Sequence, residues 1–257
     1  MKSPVFSIIT VTCNAVKVLE KTLLSVINQT YKNIEYILID GGSNDGTLDI
    51  IRQYESRFGY WISEPDNGLY DAMNKGLRTA TGDYVCFLNA GDVFKHSEVV
   101  AELSAMAVRN GLPDILYGET DLVNQDGTVF AERRLKAPKK LTWKSFRMGM
   151  LVCHQTFIVK REIAPEYDMQ YRFSADFDWC IRCLKEAGKR KVTGNIVHSH
   201  LRLINYLYEG TTTANRKASL KERYAIMCRY YGTFPTQIRH LWFAVRSCWA
   251  RLFKNNY

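Results

Sequence analysis

The sequence contains no uninterrupted apolar run of about 18 residues, so a membrane-spanning helix is not expected. It has no Gly-x-Gly-x-x-Gly turn behind a strand, which removes the dinucleotide fingerprint of a dehydrogenase. The stretch after the first apolar run, Thr12-Cys13-Asn14-Ala15, is neither glycine-rich nor basic, as a nucleotidyltransferase loop would be. Cys180 and Cys183 form a lone Cys-x-x-Cys with no second pair, so a structural zinc site is not expected. No apolar core and small-residue cleavage site follow the opening Met1-Lys2-Ser3-Pro4, and that segment reads as the approach to a strand rather than a signal peptide. Internal repeats and low-complexity stretches are absent, and no nucleic-acid recognition motif accompanies the basic residues. Acids are scarce at one end: from residue 216 onward Glu222 stands alone against nine Lys and Arg.

That imbalance places +8 of the net +9 charge in the last 42 residues and leaves a near-neutral body, so an anionic surface is the expected partner of the tail. Apolar residues make up 46% of the chain, enough for a real core. The seven cysteines are odd in number and lie partly in apolar runs, which suits a reducing compartment better than a disulfide framework.

Periodicity predicts strands at 5–11, 35–39, 60–63, 83–88 and 114–117, with helices at 16–27, 47–54, 69–80 and 97–109 between them. Alternation of this kind implies an α/β fold with a mainly parallel sheet flanked by helices, and ligands then bind beyond the carboxyl ends of the strands. A hairpin is expected at 121–134 with its turn at Gln125-Asp126-Gly127. Further strands are expected at 154–159 and 191–197, a helix at 176–187 and another at 217–231.

Three segments carry polar residues where chemistry is expected. In Asp40-Gly41-Gly42-Ser43-Asn44-Asp45-Gly46-Thr47 an acid closes a strand and can accept hydrogen bonds from a base or ribose; the plain alternative is a turn that caps the next helix. In Asp66-Asn67-Gly68-Leu69-Tyr70-Asp71-Ala72-Met73-Asn74-Lys75-Gly76, Asp71, Asn74 and Lys75 share a helix face, either as nucleotide contacts or as a solvated ion-pair face. In Phe87-Leu88-Asn89-Ala90-Gly91-Asp92 a carboxylate lies just beyond a buried strand, a place for Mg²⁺ or Mn²⁺ or for a helix cap.

In order and spacing these segments, with Ser7-Ile8-Ile9-Thr10-Val11-Thr12-Cys13-Asn14, resemble glycosyltransferase family 2 with its GT-A fold, a Rossmann-like sheet here followed by a C-terminal helical extension. The stretch from Asp66 to Gly76 is close to a bacterial subgroup that builds surface polysaccharides. The resemblance implies an inverting, metal-dependent transfer from a nucleotide-sugar, a UDP-sugar foremost, to a hydroxyl of a glycan or lipid-linked acceptor. It implies donor contacts from Thr12, Asp40, Asp71, Asn74, Lys75, Asn89 and His154, a metal ligand in Asp92, and Asp176 of Ser174-Ala175-Asp176-Phe177-Asp178-Trp179 as catalytic base, with Asp178 in reserve. Residues 1–215 form the expected catalytic domain, 1–120 its nucleotide half and 121–215 its acceptor half. His198 and His200 follow a strand and are further candidates to approach the metal, and Tyr208-Glu209-Gly210-Thr211-Thr212 resembles a loop that closes over the donor, the plain alternative being a connector.

Cys13, Met73, Asn89 and Gly91 depart from the family pattern, and the Asn89 and Gly91 replacements keep open a non-catalytic sugar-nucleotide binder or scaffold of the same fold. Within the expected tail, 216–257, apolar residues recur at 238, 241, 242, 245, 249, 252 and 253 with Arg239, Arg246 and Lys254 mostly off that stripe. Residues 236–254 therefore read as an amphipathic helix on an anionic membrane surface, placing the protein at the cytoplasmic face of the membrane. The alternative is a helix packed on the domain or on a twin subunit in a homodimer.

Overall fold

A computed structural model describes residues 3–190, 195–208 and 215–254, with the side chains of residue 244 and of residues 246–254 outside the description. The first half follows the expected alternation: β1 (Phe6–Thr12), α1 (Leu19–Ile27), β2 (Ile34–Asp40), α2 (Thr47–Gln53), β3 (Tyr60–Ser63), α3 (Leu69–Thr79), β4 (Tyr84–Phe87), β5 (Val93–Phe94) and α4 (Val99–Arg109). The second half holds β6 (Ile115–Val123), β7 (Val129–Glu132), β8 (Phe157–Lys160), α5 (Ala175–Lys189), β9 (Ile196–Leu207), α6 (Arg216–Tyr231) and α7 (Thr233–Lys254).

One sheet runs through the molecule in the order β3-β2-β1-β4-β8-β6-β9-β5, with β7 paired to β6. It is parallel from β3 to β4 and mixed beyond: β8 lies antiparallel between β4 and β6, while β9 runs parallel to β6. Helices cover both faces. On β1, Ile9 and Val11 join one apolar cluster with α3 and α5, while Phe6 and Ile8 join a second with α1 and α4. A strand buried on both sides reads as a β-branched run without polar alternation, and Phe6–Thr12 is buried at every position, with its small polar residues Ser7, Thr10 and Thr12 inside as well. α3 packs closely on this sheet because position 76 is glycine: a Cβ there would come within 2.4 Å of Ile9 Cγ2.

The structure corrects three boundaries. β6 crosses residue 120, so the nucleotide and acceptor halves share a strand. The segment 154–159 opens as a 3-10 turn at His154–Thr156 and becomes a strand only at Phe157. The last strand spans Ile196–Leu207, far longer than expected; its polar His198-Ser199-His200 start and the positive φ of His200 (58°) break the strand pattern. Residues 191–194 lie outside the described residues.

α6 is not part of an appended tail. Ile226, Met227 and Tyr231 are buried in the first cluster, and Tyr231 stacks on Trp143 at 5.6 Å. α7 packs on the domain through the buried Thr236 and the partly buried Phe243 and leaves Phe234, Leu241 and Val245 exposed. Among the described residues no helix is long and apolar enough to cross a membrane.

Candidate active site

The carboxyl ends of β1 and β4 open into a crevice with two chambers. The first, about 370 Å³, is lined by Thr12, Cys13, Asp66, Gly68, Ala90 and Asp92, among others. The second, about 360 Å³, is lined by Tyr70, Arg133, His154, Asp176, Tyr206 and Arg223, among others. Leu69, Asn89 and Tyr206 belong to both and form the shared wall. Each chamber falls in the size range of small-molecule sites.

Asp92 sits at the floor of the first chamber, only 4% exposed. One carboxylate oxygen accepts the Leu207 N–H at 3.0 Å and the other the Gln155 side-chain amide at 2.7 Å. Burial nevertheless pushes its carboxyl up to about 7, against the opposing pull of those two donors. Gly91 beside it adopts φ +100°, and a Cβ there would meet Leu207 Cδ2 at 2.7 Å. The glycine at this position thus follows from the close approach of β9, whose end delivers the Leu207 donor to Asp92.

Could these residues hold a divalent ion? Among the described residues no group of three or more His, Cys, Asp or Glu is arranged for one. Asp92 and Asn89 both line the first chamber, and Asn89 Oδ1 is buried without a partner, as is Thr12 Oγ1. Orphaned buried acceptors of this kind are satisfied by ligands or ions. The donor set is hard oxygen, which suits Mg²⁺ or Mn²⁺, and such ions take most of their ligands from phosphate and water. The residues therefore fit an ion shared with a diphosphate better than a resident metal.

Asp176 lies in the second chamber at the first turn of α5. Its Oδ1 accepts the Tyr70 hydroxyl at 3.0 Å and the Phe177 N–H at 2.9 Å. Burial holds the Tyr70 hydroxyl well above its ordinary value, so it stays a donor. Both bonds fix the orientation of the carboxylate. Asp178, the reserve, is fully buried and spent on Arg182 (2.6 Å) and the Tyr230 hydroxyl (2.7 Å).

Several expected donor contacts have other tasks. Asp40 is fully buried and accepts from Gly42 N–H, Ser43 N–H, the Ser43 hydroxyl and the Ser63 hydroxyl. It shapes the loop behind the first chamber instead of lining it, and the acids that do line the chamber are Asp66 and Asp92. Asn74 clamps the backbone of Tyr167 at both ends of its amide, 2.7 and 3.1 Å. Asp71 accepts the Asn67 N–H at 3.0 Å, and Lys75 pairs with Glu64 at 2.8 Å and the Pro65 carbonyl at 3.2 Å. The shared face of α3 is real, but it braces the loops on either side and lines neither chamber.

His154 belongs to the second chamber, enclosed by Phe87, Tyr167 and Trp179, with Nε2 2.6 Å from the Tyr167 hydroxyl. Burial lowers its ring to about 4, so it is neutral at physiological pH and supplies no charge to a phosphate. His198 and His200 lie together on β9, His198 edge-on to Tyr117, and line neither chamber. Glu209-Gly210-Thr211-Thr212 falls outside the described residues. Gln155, Tyr70 and Asp66 were missed by sequence reasoning. Asp66 alone carried a signal, as the acid that opens the Asp-Asn-Gly turn.

This architecture is the GT-A fold of glycosyltransferases. Its likeness to S. aureus TarS 1-349 in complex with UDP-GlcNAc has a TM-score of 0.66 at 19% identity, over 87% of this chain and 64% of that one. The mannosyltransferase PcManGT from Pyrobaculum calidifontis, in complex with GDP-Man and Mn²⁺, matches with a TM-score of 0.56 at 16% identity, over 89% of this chain and 65% of that one. The chain belongs to glycosyl transferase family 2, whose family model matches residues 7–167. It is 34% identical over 193 residues to the PGL/p-HBAD biosynthesis glycosyltransferase of Mycobacterium bovis, covering 71% of each chain. It is 32% identical over 169 residues to TuaG of Bacillus subtilis, named for teichuronic acid biosynthesis, covering 65% of this chain and 66% of that one.

Proposed function

We propose that this glycosyltransferase moves a sugar from a nucleotide-sugar, of the UDP type, to a hydroxyl of a glycan or lipid-linked acceptor, inverting the anomeric carbon, in the synthesis of a cell-surface polysaccharide. The observation that carries the reading is the division of labour across one wall: Asp92 faces the first chamber and Asp176 the second, with Asn89 between them. Inverting displacement needs the nucleophile and the leaving group on opposite sides of the reacting carbon, and the two chambers supply two sides. Nucleotide-sugar ligands of TarS and PcManGT support the donor class, and the naming of TuaG supports the setting.

In this reading Asp176 accepts the proton of the attacking hydroxyl, with Tyr70 fixing the carboxylate's orientation. Asp92 and Asn89 would hold Mg²⁺ or Mn²⁺, which when bound neutralises charge on the departing diphosphate. Thr12 offers its orphaned hydroxyl and Asp66 its carboxylate to the nucleoside. Release of nucleoside diphosphate from UDP-, GDP- and dTDP-sugars, with and without Mn²⁺, tests this. One nucleotide should be favoured, with Mn²⁺ stimulation lost in Asp92→Ala; turnover indifferent to chelation and to that substitution would overturn it.

A second reading concerns location. On α7, Phe234 (71% exposed), Ile238, Leu241 (69%), Trp242 and Val245 present a continuous apolar edge, while Phe243 packs inward on the domain. With the basic residues of 216–257 this edge suits the interface of an anionic bilayer on the cytoplasmic side. Deleting 234–257 should abolish sedimentation with anionic phospholipid vesicles; a truncated protein that still sediments would overturn it.

A further inference from the structure

The second chamber carries more positive charge than a base and a neutral sugar hydroxyl require. Arg133, Arg134 and Arg223 all line it, and Asp176 is the one carboxylate among its lining residues. The arginine ion pairs of the described residues involve Arg52, Arg78, Arg182, Arg190, Arg202 and Arg229, and none of these three. Arg133 donates to the carbonyls of Leu135 (3.4 Å) and Met150 (2.6 Å), which leaves its charge uncompensated. Arg223 Nε is buried with no partner.

Arg133 is held by those two carbonyls and Arg223 by its helix, while Arg134 is an exposed side chain of the same lining. Arg133 and Arg134 follow β7, whose partner β6 is held in the sheet. Arg223 sits on α6 beside Glu222, whose carboxylate accepts the N–H groups of Arg172 (2.9 Å) and Phe173 (2.8 Å). One turn earlier on α6 the Ser219 and Ser174 hydroxyls meet at 2.9 Å, and Ser174 is the residue before α5. The helix that carries Arg223 is thus pinned to the start of the helix that carries Asp176. Three guanidinium groups held around one cavity repel one another, and a bound anion relieves that repulsion while satisfying the open donors.

Which anion? The diphosphate of the donor belongs with Asp92 in the first chamber, and none of the three arginines lines that chamber. Resting on the donor and base assignments above, we propose that the acceptor is an anionic glycan, bearing a carboxylate or phosphate close to the reacting hydroxyl, and that Arg134 and Arg223 grip that group and so select the acceptor.

The test uses the full-length protein and three probes of equal length: a glucuronic acid tetramer, a glycerol phosphate tetramer and the neutral cellotetraose. Each is titrated calorimetrically, with and without saturating UDP and Mn²⁺. One anionic probe should bind at least tenfold more tightly than cellotetraose, with UDP present or absent, and whichever it is identifies the anion. Arg134→Gln and Arg223→Gln should each weaken that probe roughly tenfold, the loss expected for a charge-assisted hydrogen bond, and leave UDP affinity unchanged. Arg134→Glu, on an exposed side chain, should abolish probe binding even if Arg223→Gln fails to fold. Equal binding of all three probes, competition between UDP and the anionic probe, or weakened UDP in the arginine variants would overturn the proposal, the last two assigning these arginines to the donor diphosphate. Should UDP itself not bind, the donor reading fails, while the arginine dependence of the anionic probe still decides this one.

Discussion

The two chambers are walled by different kinds of structure. The first draws on residues 11–15 and 66–92, with Tyr206 and Leu207 arriving from β9. Its shape is set by backbone: strand ends, the Asp66-Asn67-Gly68 turn, and a glycine at 91 that both its positive φ and the close approach of Leu207 require. The second gathers side chains from α3, the segment after β7, the 3-10 turn at His154, α5, β9 and α6. A parallel sheet sets the first kind of site wherever its strands end. The second kind depends on which long side chains converge, and in the proposed reading it is where related chains can differ in acceptor while sharing a donor site.

The comparison breaks most sharply at Asp176. Asp176→Asn keeps the shape and removes the proposed base, so kcat should fall by roughly 10²–10⁴ while the affinity for UDP stays within about twofold. A variant that loses nucleotide affinity instead would mean the two chambers are not functionally separate.

A second test lies under the second chamber. His154 has its ring lowered to about 4 from an ordinary 6.5, so its contribution to stability is complete above about pH 6.5 and lost as pH falls toward 4, where the unfolded chain takes a proton that the folded one refuses. The difference amounts to roughly 3 kcal/mol across that window. Urea titrations at pH 7 and pH 5 should show this decline, and His154→Gln should flatten it. An unchanged slope in the variant would show that the ring is not buried neutral.

How much of this was legible beforehand follows the same division. β1, β2 and β4 and the helices beside them are plain in the sequence because both faces of those strands are largely buried, while the half-exposed edge strand β3 gave the weakest signal, and Asn89 and Asp92 stand at a strand end. The polar face of α3 was equally plain, but periodicity says which residues share a face and not what the face meets. Asp178 illustrates the point: it sits two residues from Asp176 and in the core, and Arg182 four residues on was a signal that it had an intrahelical partner. Gln155 had no signal at all, since its task appears only when the chain folds to bring it to Asp92. Nothing in the sequence marks Arg133, Arg134 and Arg223 as a group, because their convergence is a property of β7, α6 and the sheet together.

The face of α3 gives a sharper probe of the same lesson. Asn74→Ala removes two hydrogen bonds that hold the Tyr167 backbone, and leaving those buried groups unpaired should cost about 1–3 kcal/mol of stability. UDP affinity should be unaltered once the protein is folded. A tenfold loss of UDP affinity with no change in the denaturation midpoint would restore Asn74 to the donor site.

The smallest expected effect tests what kind of metal site the first chamber is. One buried carboxylate, raised to about 7 by burial and already bound by Gln155 and Leu207, with a single amide oxygen beside it, is a weak site for a free cation. A diphosphate supplies the missing oxygens, so ion and nucleotide should each strengthen the other's binding by the same factor. Mn²⁺ alone should shift the melting temperature by less than about 1 °C, UDP alone by little more, and the two together by more than the sum, on the order of a few degrees for a chain of this size. Asp92→Asn should remove the excess and keep the UDP-only shift. A large shift from Mn²⁺ alone would mean that the ion resides in the protein before the donor arrives, and that backbone oxygens complete its shell.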